Sequence, residues 1–144
     1  MAYVNYQSVA LRASAATAGG SEQDAAVTLP ETVTEFWAVL TKTAEANADN
    51  LLTARIQAQV GSTWFDLAWD WIQTTQTLTV ATDIATNTSR VQNIVVSDST
   101  APTYSVLAYY SSMPSNVLRV ASVSSGTTVA NTFSVTALFA LNRL

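Results

Sequence analysis

Strict alternation between apolar and polar residues over residues 52–60 is the feature that most constrains the fold of this chain. Every second position is apolar and the positions between are polar or charged: Leu52, Ala54, Ile56, Ala58 and Val60 against Thr53, Arg55, Gln57 and Gln59. A period of two places side chains on opposite faces of a strand, whereas an amphipathic helix repeats its apolar residues three or four apart. The segment is therefore predicted to be a β-strand with one buried face.

Runs rich in β-branched and aromatic residues continue this pattern, separated by clusters of Gly, Pro, Asn, Asp and Ser. Such punctuation is typical of short strands joined by turns. We predict about eight strands, at residues 33–41, 52–60, 64–67, 78–82, 91–97, 104–111, 117–123 and 132–141. The last two are expected to form a hairpin, because residues 124–128 supply turn residues. A helix over residues 31–50 is the alternative for the first strand, but the β-branched residues at its centre favour a strand.

The predicted fold is an all-β antiparallel β-sandwich, jelly-roll-like, formed by residues 27–144. The first 26 residues mix small residues with a glycine pair and show no sustained period, so we predict an extended N-terminal arm that is ordered only against a partner. A frayed terminus without a role is the alternative. Candidate contact residues of the arm are Tyr3, Tyr6, Val9 and Leu11.

Composition narrows the range of functions. The chain of 144 residues has no His and no Cys, so it lacks the commonest general base and metal ligand, and it lacks disulfides and thiolate metal sites. We predict that it is not an enzyme and has no cofactor and no metal site. Six Lys and Arg residues are too few and too scattered for a phosphate-binding patch, so no nucleic-acid partner is expected. No apolar run reaches the ~18 residues of a membrane-spanning helix, so no membrane is expected either.

Aromatic and acidic residues cluster between residues 64 and 71. The faces of Trp64, Trp69 and Trp71 could stack on sugar rings while Asp66 and Asp70 accept hydrogen bonds from hydroxyl groups, and packing in the core is the competing interpretation. A glycoside hydrolase that uses Asp66 and Asp70 is the third hypothesis for this cluster. On a straight strand, however, residues four apart lie about 13 Å apart, outside the roughly 5–9.5 Å that separates the carboxyl groups of such enzymes.

Two further observations favour contact with other subunits. Charged residues make up 11% of the chain, less than half of the roughly 25% typical of soluble domains. In the adjacent pair Tyr109 and Tyr110 the side chains must point to opposite faces of a strand, so one belongs to the core and the other is an exposed or interfacial anchor. We expect partial burial of the surface in an assembly.

Residues 52–67 also resemble a pattern in small β-sandwich virion proteins of tailed bacteriophages. In those proteins a Lys/Arg-Ile-Gln run turns at glycine into a Thr-Trp-x-Asp-Leu segment; here the parts are Arg55-Ile56-Gln57, Gly61 and Thr63-Trp64-Phe65-Asp66-Leu67. The closing residues 118–120 and 132–135 are similar to the end of those proteins. The resemblance implies a head decoration or cement protein on the outer surface of the capsid, a homotrimer that binds the major capsid protein and itself.

Overall fold

A computed structural model describes residues 4–17, 20–44, 51–74, 94–96, 104–125 and 132–142. Within these ranges every regular secondary-structure element is a β-strand. In chain order they are β1 (Val4–Ala16), β2 (Gly20–Gln23), β3 (Val27–Thr28), β4 (Phe36–Ala44), β5 (Leu51–Val60), β6 (Thr63–Asp66), β7 (Trp71–Thr74), β8 (Val95–Val96), β9 (Tyr104–Tyr110), β10 (Val117–Ser125) and β11 (Thr132–Asn142). The predicted strand at residues 78–82 lies outside the described residues, as does most of the one at 91–97.

The strands form two antiparallel sheets, which confirms the prediction of an all-β antiparallel sandwich. Sheet A has five strands in the order β1-β11-β4-β9-β7. Sheet B has the order β2-β10-β5-β6, with β3 also paired to β10 and β8 also paired to β5. The jelly-roll connectivity stays a prediction. Residues 36–44 are a strand, as the β-branched residues indicated, and this strand begins at Phe36 because residues 30–33 form a turn closed by Val33 N–H and the Pro30 carbonyl at 3.0 Å.

The core lies between the inner faces of the two sheets. In β5 the predicted inward residues Leu52, Ala54, Ile56 and Ala58 are fully buried, while Val60, next to the turn, is 44% exposed and does not belong to the core. The same alternation in β4 buries Phe36, Ala38 and Leu40. The rings of Phe36 and Tyr110 stack across neighbouring strands with 4.8 Å between centroids. Alternation thus decides which side chains fill the sandwich.

Gly61 and Ser62 connect β5 to β6 in a hairpin. Val60 pairs with Thr63, which leaves a two-residue loop. Gly61 has φ 63 and Ser62 does not have a positive φ. Glycine in the first of the two loop positions is the signature of a type II′ turn, whose twist matches that of the flanking strands. The turn predicted at this glycine is confirmed.

The N-terminal segment is not separate from the sandwich where the structure describes it. Strand β1 pairs with β11 along the edge of sheet A, from Val4 opposite Asn142 to Ala16 opposite Thr132. Strands β2 and β3 then pair with β10 in sheet B. Where the structure describes the predicted arm of residues 1–26, the segment is thus part of the two sheets and not a separate arm, because the edges of β11 and β10 supply its backbone partners. Most side chains of β1 remain exposed, which is why no period is visible in this segment.

Arg12 joins this side of sheet A to sheet B. Its side chain is 3% exposed and donates through Nη1 to Glu22 Oε1 at 3.1 Å and to Asp24 Oδ1 at 2.7 Å. The guanidinium also lies 4.2 Å from the centroid of the Phe133 ring. Since Arg12 lies in β1 and its acidic partners lie in or just after β2, the cluster ties the two sheet edges together.

The predicted hairpin of the last two strands is wrong. Strand β10 lies in sheet B between β5 and the pair β2 and β3, whereas β11 lies in sheet A between β1 and β4. Each strand already has partners on both edges, so the two cannot pair with each other. A turn-rich sequence indicates that the chain reverses direction, but it does not decide whether the next strand stays in the same sheet.

Candidate functional site

The cluster predicted at residues 64–71 is divided between the two sheets. Trp64 and Asp66 lie in β6 of sheet B, whereas Trp71 lies in β7 of sheet A. Trp69 is 7% exposed and belongs to the hydrophobic core, so for this residue the packing interpretation is the correct one. The five predicted residues therefore do not form a single aromatic platform.

Asp66 is part of a polar network on the outer face of sheet B. Its Oδ1 accepts a hydrogen bond from Gln57 Nε2 at 2.8 Å and forms an ion pair with Arg55, whose Nε lies 2.9 Å away but does not direct its N–H at the oxygen. Arg119 Nε donates to Gln57 Oε1 at 2.7 Å, and the Arg119 guanidinium lies 4.2 Å from the centroid of the Trp64 ring. We call Arg55, Gln57, Trp64, Asp66 and Arg119 the sheet B network.

Asp70 fastens β7 to the end of β9. Its Oδ2 accepts hydrogen bonds from the Ser111 backbone N–H at 2.7 Å and from the Ser111 hydroxyl at 2.6 Å, and its own N–H donates to the Tyr109 carbonyl at 2.7 Å. Asp66 thus lies in β6 of sheet B, whereas Asp70 lies just before β7 of sheet A, and the two carboxylates bind different partners. They are not arranged as a facing pair of carboxylates.

The most prominent aromatic surface lies on the outer face of sheet A. Trp71 is opposite Tyr109, and Tyr109 is opposite Trp37, so the three side chains follow one another across β7, β9 and β4. The Trp37 and Tyr109 ring centroids are 4.6 Å apart, and those of Trp37 and Trp71 are 5.7 Å apart with an interplanar angle of 78°. Trp71 is 43% exposed. We call Trp37, Tyr109 and Trp71 the aromatic strip.

Apolar side chains extend the aromatic strip in both directions. Leu138 of β11 is opposite Trp37, and Val39 is opposite Leu107 in the next row. Tyr6 of β1, 68% exposed, pairs with Ala140 and stands on the same outer face as Leu138. Trp37, Val39, Leu107 and Leu138 alternate with buried residues, so they point away from the core, and Tyr6 shares their face through its pairing with Ala140. We call this outer surface of β1, β4, β7, β9 and β11 the sheet A face.

Two carboxylates border the aromatic strip and give it a negative rim. The Tyr109 hydroxyl donates a short hydrogen bond to Glu35 Oε2. This bond, followed by desolvation and by the negative charges of Glu35 and Asp70, raises the pKa of Tyr109 above its usual 10.0. A phenol whose pKa is raised by neighbouring carboxylates keeps its proton and remains a hydrogen-bond donor. The strip is thus apolar at its centre and acidic at its border.

The predicted interface residues differ in their exposure. Tyr3 lies outside the described residues, Tyr6 is exposed, and Val9 is partly buried against the core. Leu11 is 3% exposed and Tyr110 is fully buried, so neither is available to a partner. Leu11 is buried because β1 is part of the sandwich, and Tyr110 because it stacks on Phe36. Of the tyrosine pair one is core and Tyr109 is on the outer face, as predicted.

Trp37 and Glu35 are site residues that sequence reasoning missed. The signal was available, because Phe36, Ala38 and Leu40 take one parity of β4 and leave Trp37 and Val39 on the other. A tryptophan opposite in parity to a fully apolar set must be on the outer face. What the sequence did not show is that Tyr109 and Trp71 occupy the neighbouring strands.

Comparison with known proteins leaves the site to be judged on its own geometry. No family model, curated protein or solved structure matches the chain. In the part of the chain that the structure describes, His, Cys, Asp and Glu form no group of three or more that could hold a metal ion. The described residues also contain no helix with the length and hydrophobicity needed to cross a membrane.

Proposed function

We propose that this chain is a structural protein of a virion, a head decoration or cement protein that binds the outer surface of the capsid through the sheet A face. In this role it adheres to the major capsid protein, bridges neighbouring capsomers and stabilises the lattice, with a homotrimer as the binding unit. It performs no reaction and needs no cofactor. The observation that carries the proposal is the aromatic strip together with the apolar residues that adjoin it on the outer surface of sheet A.

The composition of the sheet A face supports docking against protein. The centres of protein interfaces are enriched in Tyr and Trp and depleted in charged residues, and Trp and Tyr contribute a large share of binding energy. Five strands at about 4.8 Å spacing, with strands of about 30 Å, give a surface of the order of the ~800 Å² that one partner buries in a stable complex. Apolar area covered there stabilises the contact by about 25 cal/mol per Å² before association costs.

The described basic residues support a protein partner over nucleic acid. Arg12 is buried between Glu22 and Asp24, and Lys42 is 1% exposed. Arg55 and Arg119 belong to the sheet B network. Binding to a phosphate backbone depends on accessible Lys and Arg side chains that release counterions. In the described residues the Lys and Arg side chains are either buried or bonded to other residues of the chain.

A deletion experiment tests the proposal. The coding sequence is removed from the genome that carries it, and purified particles with and without the protein are heated while DNA release is followed. We expect the particles to assemble, to lack this chain by mass spectrometry, and to release DNA at a lower temperature. Normal particles that never contain the chain, or unchanged resistance to heat, would refute the proposal.

A matched pair of variants tests the surface. Trp71→Ala removes an exposed aromatic residue from the sheet A face, and Phe65→Ala removes one that is 51% exposed in β6 of sheet B. Each purified variant is added back to particles that lack the protein, and the bound fraction is measured. We expect Trp71→Ala to weaken binding about tenfold or more and Phe65→Ala to leave it unchanged. Equal effects would show that sheet A is not the docking surface.

The second candidate is a carbohydrate-binding or host-attachment module. Exposure of Trp71 beside Trp37 and Tyr109, with oxygen acceptors on Glu35 and Asp70, favours it over an arrangement around Trp64 and Trp69. Titration with cell-surface glycans, followed by tryptophan fluorescence, tests this candidate. Saturable quenching that disappears in Trp71→Ala would support it and would count against the decoration role.

A further inference from the structure

We infer that the aromatic strip and Glu35 form a receptor for one basic side chain, an arginine or a lysine, that the partner protein supplies. The inference rests on the proposed docking function, because it specifies the chemistry of the surface that the sheet A face binds. It goes beyond that function in naming a single residue type at a single position.

On the outer face of sheet B the chain provides its own example of such a receptor. The Arg119 guanidinium lies 4.2 Å from the Trp64 ring centroid and is held by Gln57 at 2.7 Å, and Gln57 is bonded to Asp66. An aromatic face attracts a cation within about 6 Å of its centroid. A nearby carboxylate adds to that attraction. The components are an indole, a polar anchor, a carboxylate and a cation.

The sheet A face has these components except for the cation. Two indoles and a phenol lie side by side, Glu35 is bonded to the phenol, and the charge of Asp70 also acts on Tyr109. None of the outward side chains that the structure describes in β1, β4, β7, β9 and β11 is Lys or Arg. They are aromatic, aliphatic, hydroxyl or amide side chains and include Tyr6, Ser8, Ala10, Trp37, Val39, Thr41, Thr43, Trp71, Gln73, Ser105, Leu107, Tyr109, Thr132, Ser134, Thr136, Leu138 and Ala140.

Ring geometry leaves room for the missing cation. The planes of Trp37 and Trp71 meet at 78°, and in such an edge contact one ring keeps both of its faces clear of the other ring. Trp71 is 43% exposed, and Glu35 is exposed as well. The Glu35 carboxylate donates nothing when ionised and has about four acceptor positions, of which the Tyr109 hydroxyl uses one. A guanidinium or ammonium group can therefore contact an indole face and Glu35 together.

Charge complementarity indicates that the side chain supplied by the partner is positively charged. The sheet A face is bordered by negative charge and its described residues offer no cation, while the whole chain has a net charge of -4. Opposite charges across an interface raise the association rate and select the correct partner and register. An arginine fits best, because its planar group stacks on an aromatic ring while its N–H groups reach a carboxylate. A neutral sugar would use the rings but not the charge.

The test is an NMR titration of the full chain with N-acetyl-arginine amide. The indole N–H signals of the four tryptophans are assigned with single Trp→Phe variants, and N-acetyl-citrulline amide serves as the uncharged isostere. We expect saturable shifts of the Trp37 and Trp71 signals with the arginine probe, and shifts at least about fivefold weaker with citrulline. Trp64, which already contacts Arg119, and Trp69, which is buried, are expected not to respond.

Charge-matched variants complete the test. Glu35→Gln is expected to weaken arginine binding about tenfold, which is the loss expected when a hydrogen bond to a charged group is removed. Glu31→Gln removes the same charge from an exposed position outside the sheet A face and is expected to change nothing. Equal binding of arginine and citrulline, equal effects of the two variants, or shifts only with neutral sugars would each overturn the inference.

The outcome is independent of the decoration role. The titration uses the isolated chain, so a failure removes the basic-residue receptor while particle stability and add-back of Trp71→Ala still test docking. Conversely, specific arginine binding with unchanged particle stability would retain the receptor and refute the decoration role.

Discussion

Replacing Arg12 by alanine is expected to destabilise the protein more than replacement of any other described arginine. The guanidinium makes hydrogen bonds to Glu22 and Asp24, to the Ala15 carbonyl at 3.0 Å and to the Phe133 carbonyl at 3.3 Å, and it covers the Phe133 ring. The Arg12 side chain is 3% exposed, and that of Asp24 is 18% exposed. Removing Arg12 therefore leaves a largely buried carboxylate without its cation.

The expected loss in the free energy of unfolding follows from the carboxylate that is left without its cation. Removing one member of a buried ion pair typically costs about 3–5 kcal/mol, because the remaining charge is left in a poorly hydrated place. Asp24 Oδ2 already lacks a hydrogen-bond partner, so Asp24 depends on Arg12 through Oδ1. Glu22 is 28% exposed and can regain water, which favours the lower end of the range. We expect a loss of about 3 kcal/mol, a large part of the ~5–15 kcal/mol by which domains are stable.

Urea unfolding followed by tryptophan fluorescence measures this loss. With a denaturant slope of about 2 kcal/mol per M, the midpoint should fall by about 1.5 M at unchanged slope. Arg119→Ala is the control, because Arg119 is only half-buried and its loss should cost about 1 kcal/mol. Arg12→Met combined with Asp24→Asn should recover part of the stability, since the more buried of the two carboxylates then carries no charge. A loss below about 1 kcal/mol for Arg12→Ala would show that Asp24 does not depend on Arg12 for its charge.

Three further predictions concern single positions, and urea unfolding measures each of them. Gly61→Ala should lose about 1 kcal/mol because of the φ of 63 and not through crowding, since a Cβ there meets nothing within 4 Å, while Ser62→Ala should be nearly neutral. Burial raises the pKa of Asp24 above 3.8 more than Arg12 lowers it, so the folded state binds this proton more tightly than the unfolded state. Wild type should therefore lose stability relative to Asp24→Asn as the pH rises from 3.8 through the folded pKa. A stability difference between the two proteins that does not change with pH would contradict this prediction. Trp69→Ala should cost about 3–5 kcal/mol and Trp71→Ala about 1 kcal/mol or less, because only Trp69 is in the core.

Much of the strand content was predictable because alternation is a local property. The inward set of β5 follows from the sequence, and so does the opposite orientation of Tyr109 and Tyr110. The glycine turn before β6 was also visible, because only a glycine adopts a positive φ there without strain. At Val60, the last residue of β5 before the turn, the rule fails, because this side chain is exposed although its parity is that of the buried residues.

The candidate site was predictable only in part. Adjacency along the chain placed Trp64, Trp69 and Trp71 in one group, yet they lie in sheet B, in the core and on the sheet A face respectively. The short connection between β6 and β7 passes from one sheet to the other, and this change of sheet has no marker in the residue pattern. The aromatic strip joins residues that are distant in sequence, Trp37, Trp71 and Tyr109, and only strand pairing brings them together.

The residue pattern is sufficient to predict that the chain forms strands, which residues of a strand share a face, and that the chain turns at Gly61. Which strands are neighbours is visible only in the folded chain. There β10 and β11 enter different sheets, the N-terminal segment pairs with an edge of each sheet, and Arg12 is buried between acidic partners. The physical reason is that the side-chain period depends only on the backbone of one strand. Pairing depends on which free edge offers backbone partners and on which inner faces fill one core, and both are properties of the assembled chain.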